Sequence, residues 1–351
     1  MRESRKMEHV LHALKLGQLG QHGLNDFKLV HNCLPETSSQ RIKLHTSIGE
    51  LQLSSPILIN AMTGGSSETE TINRELAIVA REKKLAMAVG SQMAAIKDKS
   101  VRSSYQIVRQ LNPDGIIFAN LGSEATVEQA QEAIEMIEAN ALQIHLNVMQ
   151  ELIMPEGDRS FVGMEERIAA IVDSVSVPVI VKEVGFGIMR ESAARLRKLG
   201  VQIIDVGGTG GTNFAAIENA RRNKNVEWLN DWGCRTSTAL LEALTVYPRG
   251  SIIASGGIRN PLEMIKAIAA GASAVGMAGA FLCVLQTEGT KAMLDFVDEL
   301  HEGLTMVMTA LGTEEISQLW QTPLVITGDT ADWCNARGIV INEYATRGKV
   351  E

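Results

Sequence analysis

From Pro56 onward the chain alternates two hydrophobic rhythms. Short β-rich apolar runs, each closing in a small or polar cluster, are followed by stretches whose apolar residues recur at helical spacing. The runs are Ile57–Met62, Ala86–Ser91, Ile116–Leu121, Leu142–Asn147, Val179–Val184, Gln202–Val206, Ser251–Ser255 and Ala274–Ala278. Between them come Thr69–Lys84, Val101–Leu111, Glu124–Ala139, Glu165–Val175, Met189–Leu199, Thr236–Tyr247 and Leu262–Ala270. Eight strands separated by helices predict a parallel sheet. Eight such units in this length fit an α/β closed (β/α)₈ TIM barrel better than a doubly wound sheet. No GxGxxG opens the first strand–helix turn, which further disfavours a dinucleotide fold.

The pattern gives one domain: an N-terminal helical extension (1–50), a barrel core (56–285) and a C-terminal segment (286–351). That last segment reads as a helix, Thr287–Leu311, and then an irregular tail. About 45 residues separate the sixth and seventh strands, including Asn223–Trp228 and Asp231-Trp232-Gly233. A connection that long is long enough to close over a site.

In a barrel the chemistry gathers at the C-terminal ends of the strands. The most informative end is His145-Leu146-Asn147-Val148-Met149-Gln150-Glu151, read as a strand terminus spilling into a polar loop. Strand alternation points His145 and Asn147 the same way, with the Gln150 amide and the Glu151 carboxylate at the mouth. A carboxylate there suits Mg²⁺, which favours oxygen ligands and shared phosphates. The bland alternative is a buried histidine followed by an ordinary loop. Lys182 lies inside the apolar run Val177–Gly185, where an unpaired ammonium is costly. Either a ligand with an electron-rich ring edge or a salt bridge to Asp205 on the next strand would satisfy it. Strands seven and eight end in Gly256-Gly257 and Ala278-Gly279, whose backbone N–H groups suit a phosphate.

Composition narrows the partners. With 45% hydrophobic and 21% charged residues the chain is globular, and its net charge of −8 argues against nucleic-acid binding. An anionic substrate would therefore need a local cationic cluster or a metal. The segment Ser4–Leu16 has helical apolar spacing and places Arg5, Lys6 and His9 on one face, as a cationic patch or as a solvated helix face. Cys33, Cys234, Cys283 and Cys334 stand singly, which fits a reducing compartment. The charged N-terminus and the absence of a long apolar run lead us to expect a cytoplasmic protein that does not enter the membrane.

These residues carry a resemblance over essentially the full length: the chain resembles the type 2, FMN-dependent isopentenyl-diphosphate isomerases. It rests on Arg5-Lys6-x-x-His9, Asn60-Ala61-Met62-Thr63-Gly64-Gly65, Gly90-Ser91-Gln92, His145-x-Asn147-x-x-Gln150-Glu151, Val181-Lys182-Glu183, Gly210-Gly211-Thr212-Asn213 and Ser255-Gly256-Gly257-Ile258-Arg259. The run from His145 to Glu151 is the most specific of these.

The resemblance implies FMN lined by Met62, Thr63, Gly64, Ser91, Asn120, Lys182, Thr212, Gly256, Gly257, Ile258, Arg259, Ala278 and Gly279. It implies a substrate, isopentenyl or dimethylallyl diphosphate, met by Arg5, Lys6, His9, Ser91, Gln92, Met93 and Gln150. Gln150, His145 and Asn147 would be the catalytic set, and Glu151 would hold Mg²⁺. The implied reaction is a 1,3-allylic proton shift with reduced flavin as the acid–base group, NADPH as reductant, and a tetrameric or octameric homo-oligomer. Two positions depart from the family pattern. Met93 stands where many members have Arg, and Cys234-Arg235 where many have Ile-Pro. On the same barrel, an FMN oxidoreductase of the 2-hydroxyacid oxidase or dihydroorotate dehydrogenase type, or a flavin-binding protein without turnover, are the rival readings. The glycine-rich loop Gly207–Asn213 lacks the histidine that the hydroxyacid oxidases would need.

Overall fold

The computed structural model describes residues 20–224 and 226–348. Eight parallel strands close into a barrel in chain order: Ile57–Ile59, Ala86–Ala88, Ile117–Gly122, Ala141–Leu146, Val179–Glu183, Ile203–Asp205, Ile252–Ser255 and Ala274–Met277. The eighth strand pairs with the first, Val275 opposite Ile57, so no sheet edge is left open.

Alternation along the strands sorts the core into two layers. Leu58, Ala86, Ala88, Phe118, Ala141, Ile180, Ile203, Ile253 and Ala274 point inward and fill the barrel. Ile57, Ile59, Met87, Ile117, Ile204 and Val275 point outward against the helices. An antiparallel hairpin, Thr46–Ile48 with Leu51–Leu53, stoppers the N-terminal end by adding Ile48, Leu51 and Leu53 to the inner cluster. The interior is therefore closed below and open only where the strands end.

Local signals set the helix starts. Ser66 and Thr69 form a capping box for Ser67–Lys83, Thr126 and Gln129 one for Val127–Met136, and Asn260 caps Pro261–Ala270 with proline in its first turn. Gly312, left-handed at φ 73°, ends the long C-terminal helix.

Four expectations change. Residues Val148–Ile153 form a short helix rather than a loop, with Asn147 at its N-cap. The connection after the sixth strand contains a helix, Phe214–Ala220, before Thr236–Leu244. The C-terminal helix begins at Gly279 and is broken at Gly289, where φ is 84° and ψ 179°. The tail is not irregular: Leu324–Ile326 pairs antiparallel with Phe27–Leu29, and helices Gly328–Ala336 and Asn342–Thr346 follow. That pairing joins the two ends of the chain. The proposed N-terminal helix, with Arg5, Lys6 and His9, lies outside the described residues.

Candidate active site

A cavity of about 520 Å³ opens at the C-terminal ends of the strands. Within it the structure gathers Met62, Thr63, Ser91, Met93, Asn120, His145, Asn147, Gln150, Glu151, Lys182, Thr212, Gly256, Gly257, Ile258, Ala278 and Gly279. These come from every part of the barrel, so only the closed fold brings them together.

His145 and Asn147 both face the cavity, as strand alternation predicts. His145 Nδ1 lies 2.8 Å from Asn120 Oδ1, an oxygen that only accepts, so Nδ1 carries the proton and the neutral ring keeps Nε2 as an acceptor. Burial, and then the Lys182 charge, push the imidazole down to about 3. Because the folded ring resists a proton that the unfolded chain takes up below its ordinary value of 6.5, His145 removes stability as pH falls from 6.5 toward 3. We expect a histidine ¹⁵N spectrum at about pH 5 to show this ring still neutral, and a protonated signal there would refute its buried setting.

Gln150 is held from behind. Its Nε2 donates to Glu218 Oε1 at 3.1 Å. Glu218 is fully buried on Phe214–Ala220, and its Oε2 accepts from Arg221 Nη1 at 2.5 Å. Arg221 Nη2 in turn donates to Glu156 at 2.6 Å. With its nitrogen committed to Glu218, the amide is left to present its oxygen to the cavity. Beside it, Glu151 Oε1 accepts from Asn147 Nδ2 and Oε2 from the Asp158 N–H, each at 2.9 Å. The pair is thus oriented by partners both near and far in sequence.

Lys182 is nearly fully buried at the cavity floor. Its Nζ donates to the Glu183 carbonyl at 2.9 Å, and among the described residues it makes no ion pair with Asp205. Asp205 is occupied instead by Asn60 Nδ2 at 2.6 Å, Ser255 Oγ at 2.5 Å and the Gly207 N–H at 3.3 Å. Burial raises its carboxyl, with the Lys182 charge opposing. The salt-bridge alternative for Lys182 is therefore set aside. Glu183 folds its carboxylate back on its own loop, where Oε2 accepts N–H groups from Val184, Gly185, Phe186 and Gly187 at 2.5–3.3 Å.

Three expected contacts are placed elsewhere. Gln92 is fully buried: its amide nitrogen reaches the Ala133 carbonyl and its oxygen accepts the Asn120 N–H, so it braces Asn120 instead of meeting a substrate. Arg259 donates to the Gly210 carbonyl at 2.7 Å outside the cavity lining. At the first strand end Gly65, not Gly64, lines the cavity, because Gly64 packs under the Tyr105 ring. Conversely, sequence reasoning missed Lys97, Glu124, Asp158, Phe161, Met164 and Arg167, all lining the mouth. The site is consequently richer in carboxylates than the strand ends alone indicated.

The donor set fits a flavin phosphate and ring. The Thr63 hydroxyl, on a residue that lines the cavity, is buried with no hydrogen-bond partner. Gly256 and Gly257, at φ 113° and 81°, form a cradle in which any Cβ would strike backbone. At the mouth, burial raises the Glu124 carboxyl, and the charges of Glu151 and Asp158 raise it further. A divalent cation would relieve that repulsion. Among the described residues no three acids or histidines converge as a complete metal cage.

The chain is similar to known proteins in sequence and in fold. The model of the FMN-dependent dehydrogenase family matches residues 80–326. The isopentenyl-diphosphate delta-isomerase of Bacillus pumilus is 52% identical over 347 residues, covering 99% of this chain and 98% of that one. Its counterpart in Bacillus licheniformis is 55% identical over 347 residues, covering 99% of each. The chain belongs to the FMN-dependent isopentenyl-diphosphate delta-isomerase family. Among solved structures, a mandelate oxidase carrying an FMN adduct superposes with a TM-score of 0.62 at 15% identity, covering 91% of this chain and 92% of that one. A lactate oxidase from Pediococcus acidilactici gives 0.63 at 18%, covering 91% and 87%. At those identities the likeness speaks for the barrel alone. In this isomerase-family barrel His145, Asn147, Gln150 and Glu151 line the same cavity as Gly256 and Gly257.

Proposed function

We propose that the protein interconverts isopentenyl and dimethylallyl diphosphate, with FMN that NADPH would keep reduced and with Mg²⁺ that Glu151 would hold to neutralise the diphosphate. The observation that carries this reading is a shared cavity. The Gln150–Glu151 pair faces the same space as Lys182 and the Gly256-Gly257 cradle. When bound, reduced FMN would supply the acid–base group that a 1,3-allylic proton shift on an unactivated alkene requires.

The chain's own groups do the positioning. Lys182 offers a buried ammonium to an electron-rich ring edge, and Thr63, Ser91 and Asn120 offer hydrogen-bonding groups around it. The Gln150 oxygen and the neutral His145 ring hold the apolar end of the substrate in place, while Met93, Met154 and Phe161 exclude water around it. Glu151 would hold the metal, and Arg5, Lys6 and His9 would complete the charge balance for the diphosphate. Lys97 and Arg167, both in the cavity wall, add cations that a protein of net charge −8 needs for such a substrate.

The purified protein should be yellow, and heat should release FMN, not FAD. Under anaerobic, reducing conditions it should convert isopentenyl diphosphate. Release of FAD, or oxidation of a 2-hydroxy acid without isomerisation, would overturn the reading in favour of the oxidoreductase barrel.

A further inference from the structure

A second cavity, of about 320 Å³, lies where the C-terminal segment packs against the barrel. Arg249 sits in the connection between helix Thr236–Leu244 and the seventh strand, Ile252–Ser255. Helix-to-strand connections occupy the face of a barrel opposite the strand ends. The cavity is therefore remote from the catalytic one, and the two share no lining residue.

Two guanidinium groups line it, and among the described residues neither forms an ion pair. Arg249 makes no hydrogen bond or ion pair among the described residues, and its stem packs 3.5 Å from where a Cβ on Gly271 would stand. Arg347 lies over the Tyr344 ring, 4.6 Å from its centre. It donates Nε to the Thr322 carbonyl and Nη2 to the Ala269 carbonyl at the end of helix Pro261–Ala270, so it caps that helix. Its Nη1 is buried and finds no acceptor. Glu343 also borders the cavity but forms no ion pair with either arginine among the described residues. Burial and the facing Arg249 charge hold the Arg347 guanidinium down to about 10. Two like charges thus border one cavity of an acidic protein, Arg249 exposed and Arg347 half-buried with one orphaned donor, a combination suited to an anion. Leu241, Leu244, Ile339 and Val340 form an apolar part of the wall, and Thr245 and Gln321 add polar groups.

We propose that this cavity is a second anion site, taking the phosphate or diphosphate of a small organic molecule whose apolar body lies along Leu241, Leu244 and Ile339. Guanidinium forks match phosphate oxygens in pairs, and the cavity volume falls in the range of small-ligand sites.

The test uses the holoenzyme and titration calorimetry with two probes, inorganic diphosphate and decyl diphosphate. Arg249→Ala is the variant, because Arg249 holds nothing else in place, with Arg249→Lys as the charge-keeping control. Wild type should show binding that Arg249→Ala weakens tenfold or more and Arg249→Lys partly restores. The kcat/KM for isopentenyl diphosphate should be the same in wild type and Arg249→Ala. Decyl diphosphate should bind this site more tightly than inorganic diphosphate. Identical titrations of wild type and Arg249→Ala would overturn the site. Equal affinity for the two probes would overturn the apolar half of the proposal.

Discussion

Gln150→Ala should lower kcat and kcat/KM together, by about a hundredfold, while leaving FMN retention intact. Removing a preorganised polar contact to a transition state typically costs about 10²–10³ in kcat, and an interaction made only there lowers both constants equally. FMN is spared because Gln150 sits on the short helix Val148–Ile153 with its amide nitrogen tied to Glu218, and it forms no part of the Gly256-Gly257 cradle. Glu218 has a graded role as a positioning residue. Its carboxylate fixes the Gln150 amide at 3.1 Å and is itself fixed by Arg221. Glu218→Gln keeps an acceptor but loses the charge that anchors Arg221, so kcat should fall about tenfold with KM unchanged, a smaller loss than a full contact deletion. Steady-state kinetics on the two variants checks this. A rise in KM at constant kcat would show that the amide serves uniform binding, and an inert Glu218→Gln would show that the amide needs no brace.

The sequence foreshadowed the near-neighbour part of this site and not the rest, for a physical reason. His145 and Asn147 share a face because strand alternation is local, and the paired glycines are legible because their turns need special backbone angles. Glu218, by contrast, stands 68 residues from Gln150, on a short helix within the long connection after the sixth strand. Nothing in local periodicity links the two. Gln92 misled for the opposite reason. It follows a strand end directly, yet the αR turn at this position sends its amide inward to Ala133 and Asn120. The eight strands were readable because buried parallel strands are continuous apolar runs. The three-residue strand Leu324–Ile326 was not, since its partner, Phe27–Leu29, lies at the other end of the chain. Lys182 was legible as an anomaly, but its partner was not. Only the closed barrel shows that Asp205 is already spoken for by Asn60, Ser255 and Gly207.

Gly257→Ala should abolish tight FMN binding, and the contrast with Gly250→Ala should show why. Both glycines hold positive φ, 81° and 97° respectively, so alanine at either carries a left-handed backbone cost of about 1–2 kcal/mol. They differ in surroundings. A Cβ on Gly257 would stand 2.2 Å from the Gly210 carbonyl carbon and oxygen, whereas one on Gly250 would meet nothing within 4 Å. Gly210 has nowhere to retreat, because its own Cα side is packed against the backbone of His22. His22 is fixed in turn by its Nε2 contact of 3.2 Å to Glu263, whose other oxygen accepts the Arg259 N–H. The strain at Gly257 must therefore be relieved by moving the strand-seven loop itself, and with it the backbone N–H groups aimed at a phosphate. Fluorescence titration of apoprotein with FMN, alongside thermal unfolding of both variants, separates the two costs. Gly250→Ala should lose some stability and bind FMN as wild type does. Gly257→Ala should lose FMN affinity by far more than its melting shift accounts for. If both variants lose stability alike and bind FMN alike, the strand-seven loop is not the phosphate cradle.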